Sequence, residues 1–505
     1  MATQNYTNAR IASFYYTAVV DAFEETVEGL FRCRCGTLRR QGPRTGYSNL
    51  IQHVRSQHPD YADVMREADD GRGTLQAWIR QRARDVHGWL DWILTSNLPL
   101  QFCENMTARR YTTLAPISVE TLHAAMEGVT LAVEAKIKEE MPDQFGIIID
   151  GWSHASEHFL AVFACYECAG TSHFPLLAMA PLINESDDDH GARTHLAFLS
   201  TMLERDYGKS LRNCLFVVAD NCAVNRLLAT LMGVPLVGCA SHRLNLAVQD
   251  YLRDYEDDLI VLQTLMRKMK TLNYAAALRF KTPLRPIIRQ DTRWGSTYAM
   301  VERYFRISEY LPVEDDDVAE LLPSPRAIKR LRGLLVDLSR VQNVSKALQS
   351  DNITMLDARV WLDGLIDVEP SFHQYLEPRA DIVHTPDFEI ACTKVLAGDA
   401  AKLTRAQRLL LQPFEKQECE SEEESEGESF VAQLQRKRKR AQRVQTYALL
   451  AAIPPTSNIV ERFFSLARIT YGHERHRIAP YTLEKILFLR VNKRLWDIHT
   501  VNECL

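Results

Sequence analysis

FGIIIDGWSHASEHFLAVFACYE, residues 145–167, is the stretch from which the rest of the chain is read. Phe145, Ile147, Ile148 and Ile149 form an apolar, mostly β-branched run that stops on a carboxylate, Asp150. Such a run predicts a buried strand, with the acid where the strand leaves the core. After a polar turn, residues 158–166 form a second strand-like run, so the pair reads as a hairpin. A carboxylate at the end of a central strand is positioned to hold a metal ion against a substrate phosphate. Taken alone, an Asp there is more often a solvated strand end, so its role depends on partners elsewhere.

The downstream pattern supplies one. A third strand is expected over 173–183, then an acidic loop at 185–189 and a helix over 194–207. NCLFVVADN, residues 213–221, repeats the device of an apolar strand ending on an acid, Asp220. A helix over 225–232, a short strand over 234–238 and a helix opened by CASHRLNLAVQDYL follow. The order strand–strand–strand–helix–strand–helix–strand–helix is that of an α/β, ribonuclease-H-like core. There the first and fourth strands adjoin at the centre and their terminal acids converge. Two such carboxylates repel each other unless a cation lies between them.

Residues 251–416 read as mainly helical, too long for a loop, and so as an all-α insertion in the α/β core. Early in it, RQDTRWGSTYAMVERY sets Arg293 and Trp294 at a helix start; the Trp suits either core packing or stacking on a nucleic-acid base. Residues 417–429 are an acidic low-complexity run, expected to be disordered. The basic run RKRKR, Arg436 to Arg440, suits a nuclear localisation signal, a DNA-backbone contact or a solvated helix face. Near the end, IPPTSNIVERFFSLARIT offers Ser457 or Asn458 as a helix cap, Glu461 on the first turn, and Phe463, Phe464 and Leu466 as the buried face. A final amphipathic helix is expected over 481–496, for packing or dimerisation.

With 505 residues, two to four domains are expected. Net charge −5 argues against a uniformly basic nucleic-acid coat but leaves room for local basic patches. No signal-like apolar core opens the chain and no run of about 18 apolar residues occurs, so export and membrane spanning are not expected. Eleven cysteines, scattered and odd in number, fit reduced thiols better than a disulfide framework. Residues 75–92, rich in Trp, and 117–140, stopped by Met141-Pro142, read as helices whose aromatic positions pack in the core.

Residues 31–58, FRCRCGTLRRQGPRTGYSNLIQHVRSQH, form a local module with two Cys, a turn region and two His on a following helix. Tetrahedral zinc takes thiolates from a hairpin and imidazoles from a helix in this way, although Cys33-x-Cys35 has one intervening residue where two or more are usual. The module holds six Arg and no Asp, Glu or Lys, which suits contact with a phosphate backbone. It resembles a BED-type zinc finger, most closely in GYSNLIQHVRSQHPDY. That resemblance implies DNA binding, with Cys33, Cys35, His53 and His58 as zinc ligands.

Taken together, Asp150-Gly151-Trp152, Asp220-Asn221, Cys239-x-x-His242, Arg293-Trp294 and SNIVERFFS resemble the motifs of the hAT-superfamily DNA transposases, in that family's order. The resemblance implies that Asp150, Asp220 and Glu461 form a catalytic acidic triad holding magnesium or manganese, with the helical insertion between the second and third acids. His242, Arg293 and Trp294 would support DNA near the cleaved bond. The implied layout is a finger over 1–65, a helical DNA-binding or dimerisation region over 66–142, the first part of the ribonuclease-H-like core over 143–250, the insertion over 251–440, and the end of the core with a dimerisation region over 441–505. The implied activity is metal-dependent cleavage and transfer of double-stranded DNA in the nucleus, by a homo-oligomer joined through its C-terminal region, with no membrane association. The alternative is a DNA-binding regulator that keeps the finger and the dimer surface and cuts nothing.

Overall fold

A run of β-branched residues with no room for solvent on either face makes a central strand. The computed structural model, which describes residues 6–20, 26–42, 46–62, 64–65, 81–154, 157–182, 191–290, 293–415, 447, 449–472 and 479–505, shows this in a mixed α/β architecture. The chain forms two compact units: residues 1–132 with 496–505, and residues 133–495.

The first unit opens with helix α1 (Asn8–Tyr15) and a three-stranded antiparallel sheet of β1 (Tyr16–Val20), β2 (Thr26–Cys33) and β3 (Leu38–Arg40), followed by α2 (Ser48–Gln57). Ile11, Tyr15, Tyr16, Leu50, Ile51 and Val54 form its small core. Helix α3 (Gln81–Thr95) buries Val86, Trp89 and Leu90, and Trp89 donates its indole N–H to the Ala115 carbonyl (2.9 Å). The Trp-rich segment is therefore core; residues 75–80 of the expected helix lie outside the described residues. The boundary between the units falls within α4 (Val119–Glu140).

The second unit is built on β4 (Phe145–His154), β5 (Glu157–Cys168), β6 (Thr171–His173), β7 (Leu176–Pro181), β8 (Cys214–Ala219) and β9 (Leu236–Gly238). The strand order is β6-β5-β4-β8-β9, with β7 also on β5. Strand β4 pairs antiparallel with β5 and parallel with β8, which pairs parallel with β9. Gly146 permits this packing: a Cβ there would stand 2.1 Å from the Phe216 ring of β8. Helices α5 (Ala192–Met202), α6 (Ala223–Met232) and α7 (Ala240–Leu252) alternate with the parallel strands.

Three expected boundaries move. The first strand does not stop at Asp150: β4 runs on to His154 because β5 continues to pair with it as far as Glu157. The third strand is split, since Pro175 has no N–H to donate and separates β6 from β7. The helix expected over 194–207 ends at Met202 and closes in one wider turn, Leu203–Tyr207, capped by Gly208 at φ +61°.

The segment after α7 is helical and shares one core with α7. Leu262, Leu265 and Met266 of α8 (Glu256–Lys268) pack with Met300 and Tyr304 of α10 (Gly295–Ile307), Leu334 and Leu338 of α11 (Pro325–Ala347) and Leu362 of α12 (Met355–Val368); α9 (Leu272–Lys281) lies between α8 and α10 in sequence. Helix α13 (Pro386–Leu396) follows. The acidic run at 417–429 and Arg436 to Arg440 lie outside the described residues. Among those described, no helix is long and apolar enough to cross a membrane.

Two helices return to the sheet. In α14 (Asn458–Tyr471), Phe463 and Phe464 are buried while Leu466 is only half-buried. In α15 (Pro480–Val491), Leu483, Ile486, Leu487 and Phe488 are buried and the helix packs on β7, so much of the apolar surface expected over 481–496 is used within the chain. Helix α16 (Ile498–Cys504) belongs to the first unit.

The α15–β7 contact contains a titratable load. Glu484 accepts a hydrogen bond from the Met179 N–H (3.4 Å). Burial, and then the charges of Glu134 and Asp206, push its carboxyl from 4.5 up to about 7. A folded-state value above the unfolded one means the ionised form costs stability. That cost appears as pH rises through the interval from 4.5 to about 7 and is full above it. Glu484→Gln is therefore expected to stabilise this unit at pH 8 by on the order of 2 kcal/mol and to change little at pH 4. Urea unfolding at the two pH values measures it, and an equal shift at both refutes the assignment.

Candidate functional site

In the first unit, Cys33 is the last residue of β2, and Cys35 lies on the turn into β3. The turn is tight: the Gly36 N–H donates to the Cys33 carbonyl (2.8 Å), and Gly36 takes φ +87°, a conformation open to glycine. This fold-back brings the second thiol to the same side as the first across a single residue. His53 lies on α2 and His58 is its C-cap residue. Cys33 Sγ is 3.5 Å from His58 Nε2, and Cys35 Sγ is 3.1 Å from His53 Nε2. All four donor atoms lie within 4.8 Å of one another. Zinc bonds of about 2.3 Å to sulfur and 2.0 Å to nitrogen at a tetrahedral angle require sulfur–nitrogen edges of about 3.5 Å, so these residues can hold a zinc ion. Burial, followed by the charges of Arg39 and His58, holds the His53 imidazole below its usual value and so in the neutral, ligating form.

In the second unit, the pairing of β4 with β8 puts Ile147 opposite Val217 and Ile148 opposite Val218, and stops there. Continuing that register aligns Asp150 with Asp220 just past the last pair, on chains about 4.8 Å apart. Burial first, then the charge of Asp220 and that of Glu461, push the Asp150 carboxyl from 3.8 up to about 7; the Gly151 N–H, donating to Oδ1 at 2.9 Å, and Arg293 act in the opposite sense. Asp220 is held by the Cys222 N–H (3.2 Å) and by the Asn225 amide (2.6 Å). Asn225 is buried on the first turn of α6. The side chain of Asn221, buried where a Cβ on Gly238 would meet it, has no hydrogen-bond partner among the described residues.

Glu461 comes from α14, and its neighbours explain its location. Phe463 meets Phe163 edge-on (5.6 Å between centroids), and Phe464 stacks on Trp152 (5.8 Å). Both contacts seat α14 on β4 and β5. The approach to the helix is tied to the start of α7: Ala240 donates to the Pro455 carbonyl (2.9 Å), and the Ser457 N–H to Cys239 Sγ (3.3 Å). Cys239 is thus a buried structural tie, whereas His242 is half-buried and lines the adjoining cleft.

That cleft has a volume of about 600 Å³ and is bordered by Ser241 and His242 of α7, Arg293 to Gly295 at the start of α10, and Asn458 and Glu461 of α14. Residues at the first turns of three helices therefore border it, and the positive ends of those helix dipoles attract anions. Arg293 Nη2 donates to Glu461 Oε2 (2.8 Å) while most of the Arg side chain stays exposed. Trp294, 7% exposed, packs in the helical core while also bordering the cleft. Asp220 and Glu461 both lie close enough to raise the Asp150 carboxyl. Among the described residues, however, only the Cys/His quartet closes to the spacing of a single ion.

Sequence reasoning missed Asn225 and the partnership of Arg293 with Glu461. An amide on the first turn after a strand-end Asp is a usable signal for the first. The second joins residues 168 positions apart and has no local signature. Comparison of the chain with models of known families, and with curated proteins, finds no match.

Proposed function

We propose that the second unit is the ribonuclease-H-like nuclease core of a hAT-like DNA transposase, and that the Cys/His module is its BED-type finger. One observation carries the reading: two carboxylates in matched register on adjacent parallel strands, with a third acid delivered by a helix whose aromatics grip the same sheet. A structural acid would be paired or solvated. Here Asp150 is half-buried and pressed by two like charges, an arrangement that favours a bound divalent cation.

Asp150, Asp220 and Glu461 are the residues that would hold magnesium or manganese. When bound, such ions lower the pKa of an attacking water or terminal hydroxyl and offset charge on the leaving oxygen. The chain's own groups do the positioning. Asn225 keeps one Asp220 oxygen occupied and so fixes the direction of the other. The three helix N-termini and the exposed Arg293 attract the scissile phosphate into the cleft. As the phosphate arrives, Arg293 exchanges its bond to Glu461 for one to a phosphate oxygen and frees that carboxylate. The partner in this reading is double-stranded DNA, the transposon ends and the target. The compartment is the nucleus, and self-association runs through the C-terminal region.

The test is cleavage of end-labelled DNA taken from the two borders of the coding region, with magnesium. Wild type is expected to nick it, and Glu461→Gln to bind it with unchanged affinity and cut it at least ~10³-fold more slowly, since loss of several kcal/mol of charge stabilisation has that effect. Binding by wild type with no cleavage replaces this reading with the non-cutting regulator.

A further inference from the structure

Helix α9 (Leu272–Lys281) joins its unit through one fully buried side chain, Leu278. At 100° per residue, Ala276 and Phe280 lie opposite Leu278, with Leu272 one turn earlier on the same side. Leu272 is 90% exposed and Phe280 85%. An exposed helix face is ordinarily polar. This one carries an apolar ridge at positions i, i+4 and i+8, and the charges beside it have one sign. From residue 259 to residue 290 the sequence has seven Lys or Arg and no Asp or Glu, in a chain of net charge −5. Lys268 pairs with Asp317 and Arg289 with Glu256. Arg279, by contrast, lies over the Phe280 ring (5.6 Å), and Lys281 donates to the Tyr310 carbonyl (3.3 Å). Neither cation is answered by a carboxylate among the described residues.

An apolar ridge flanked by unanswered cations fits a polyanion with apolar surface between its charges. Nucleic acid has that chemistry, with sugars and bases between phosphates. Continuity with the cleft, where Arg293 and helix N-termini also attract anions, favours it over an anionic membrane. The chain passes from Lys281 to Arg293 in twelve residues, so α9 ends at most ~40 Å from the cleft, a little over one turn of duplex, ~34 Å. We propose that α9 is a DNA contact flanking the cleaved bond: Arg279 and Lys281 bind phosphates, and Phe280 and Leu272 pack on the sugars between them. The location relative to the cut rests on the nuclease reading; the DNA contact itself is tested apart from it.

The full-length protein is compared with the triple variant Arg279→Ala, Phe280→Ala, Lys281→Ala for binding a labelled duplex of arbitrary sequence, by anisotropy across a range of salt concentrations. Loss of two phosphate contacts lowers the slope of log K against log salt by about 1.8. The affinity at low salt is expected to fall at least ~10-fold, with the melting temperature unchanged because all three side chains are exposed. An unchanged slope and affinity overturn the proposal. So does a variant that binds duplex normally but loses binding to phosphatidylserine vesicles, and so does failure of wild type to bind duplex. If wild type cuts DNA and the slope is unchanged, the α9 proposal fails and the nuclease stands. If it does not cut and the slope falls, the reverse holds.

Discussion

Asp150→Asn is expected to remove DNA cleavage, by at least ~10³-fold, and at the same time to make the protein harder to unfold at pH 8. The two effects have one cause. Burial and the charges of Asp220 and Glu461 raise the Asp150 carboxyl to about 7, so above that pH the native state holds an ionised acid against two others. The folded value exceeds the unfolded one; the penalty is absent below about pH 4, grows as pH rises to about 7, and is full beyond. Removing the charge is worth on the order of 1–3 kcal/mol at pH 8 and little at pH 4. A divalent cation that binds the native triad reverses the ranking: saturating magnesium stabilises wild type by roughly 3 kcal/mol at one hundred times its dissociation constant, and the variant much less. Urea melts at both pH values, with and without magnesium, read all of this. An Asp150→Asn protein less stable than wild type at pH 8 without magnesium shows that the acid is structural.

Much of this site is legible where the signal is local. The apolar runs before Asp150 and Asp220 make strands because β-branched residues have no other place to bury both faces, and the pairing of β4 with β8 is the observed one. The PPTSN stretch before Glu461 starts a helix in the structure. What escapes the sequence depends on partners. The apolar run ends at Asp150, whereas hydrogen bonding to β5 carries the strand four residues further. Trp294 is buried in a core that also draws residues from α11 and α12, tens of residues downstream. Apolar spacing in α9 reads like any core-facing helix; only the packed structure shows that Leu272 and Phe280 point outward.

A second large effect is expected at the Cys/His module of residues 31–58. Removing zinc is expected to unfold this module while leaving the α/β unit intact. Its core is slight: among the described residues, nine buried ones (Ile11, Ala12, Tyr15, Tyr16, Cys33, Leu50, Ile51, Val54 and Met65) hold α1, α2 and three short strands. A core of that size supplies no more than a few kcal/mol, whereas a structural zinc site contributes about 10–16 kcal/mol. A zinc ion held there would therefore decide whether the module is folded, and with it whether the arginines around Cys33 and Cys35 are presented together on a surface. Cys35 is the sharper test position, because it is exposed and stands only one residue from Cys33. As a bystander it would tolerate serine. As a ligand 3.1 Å from His53 it would not. Cys35→Ser is thus expected to lose zinc and to become as sensitive to limited proteolysis within residues 1–65 as Cys33→Ser or the phenanthroline-treated protein. The cobalt-substituted wild type should show the visible spectrum of a tetrahedral two-thiolate site. A Cys35→Ser protein that keeps one zinc per chain and stays protease-resistant would remove Cys35 from the ligand set and leave the site with three protein donors.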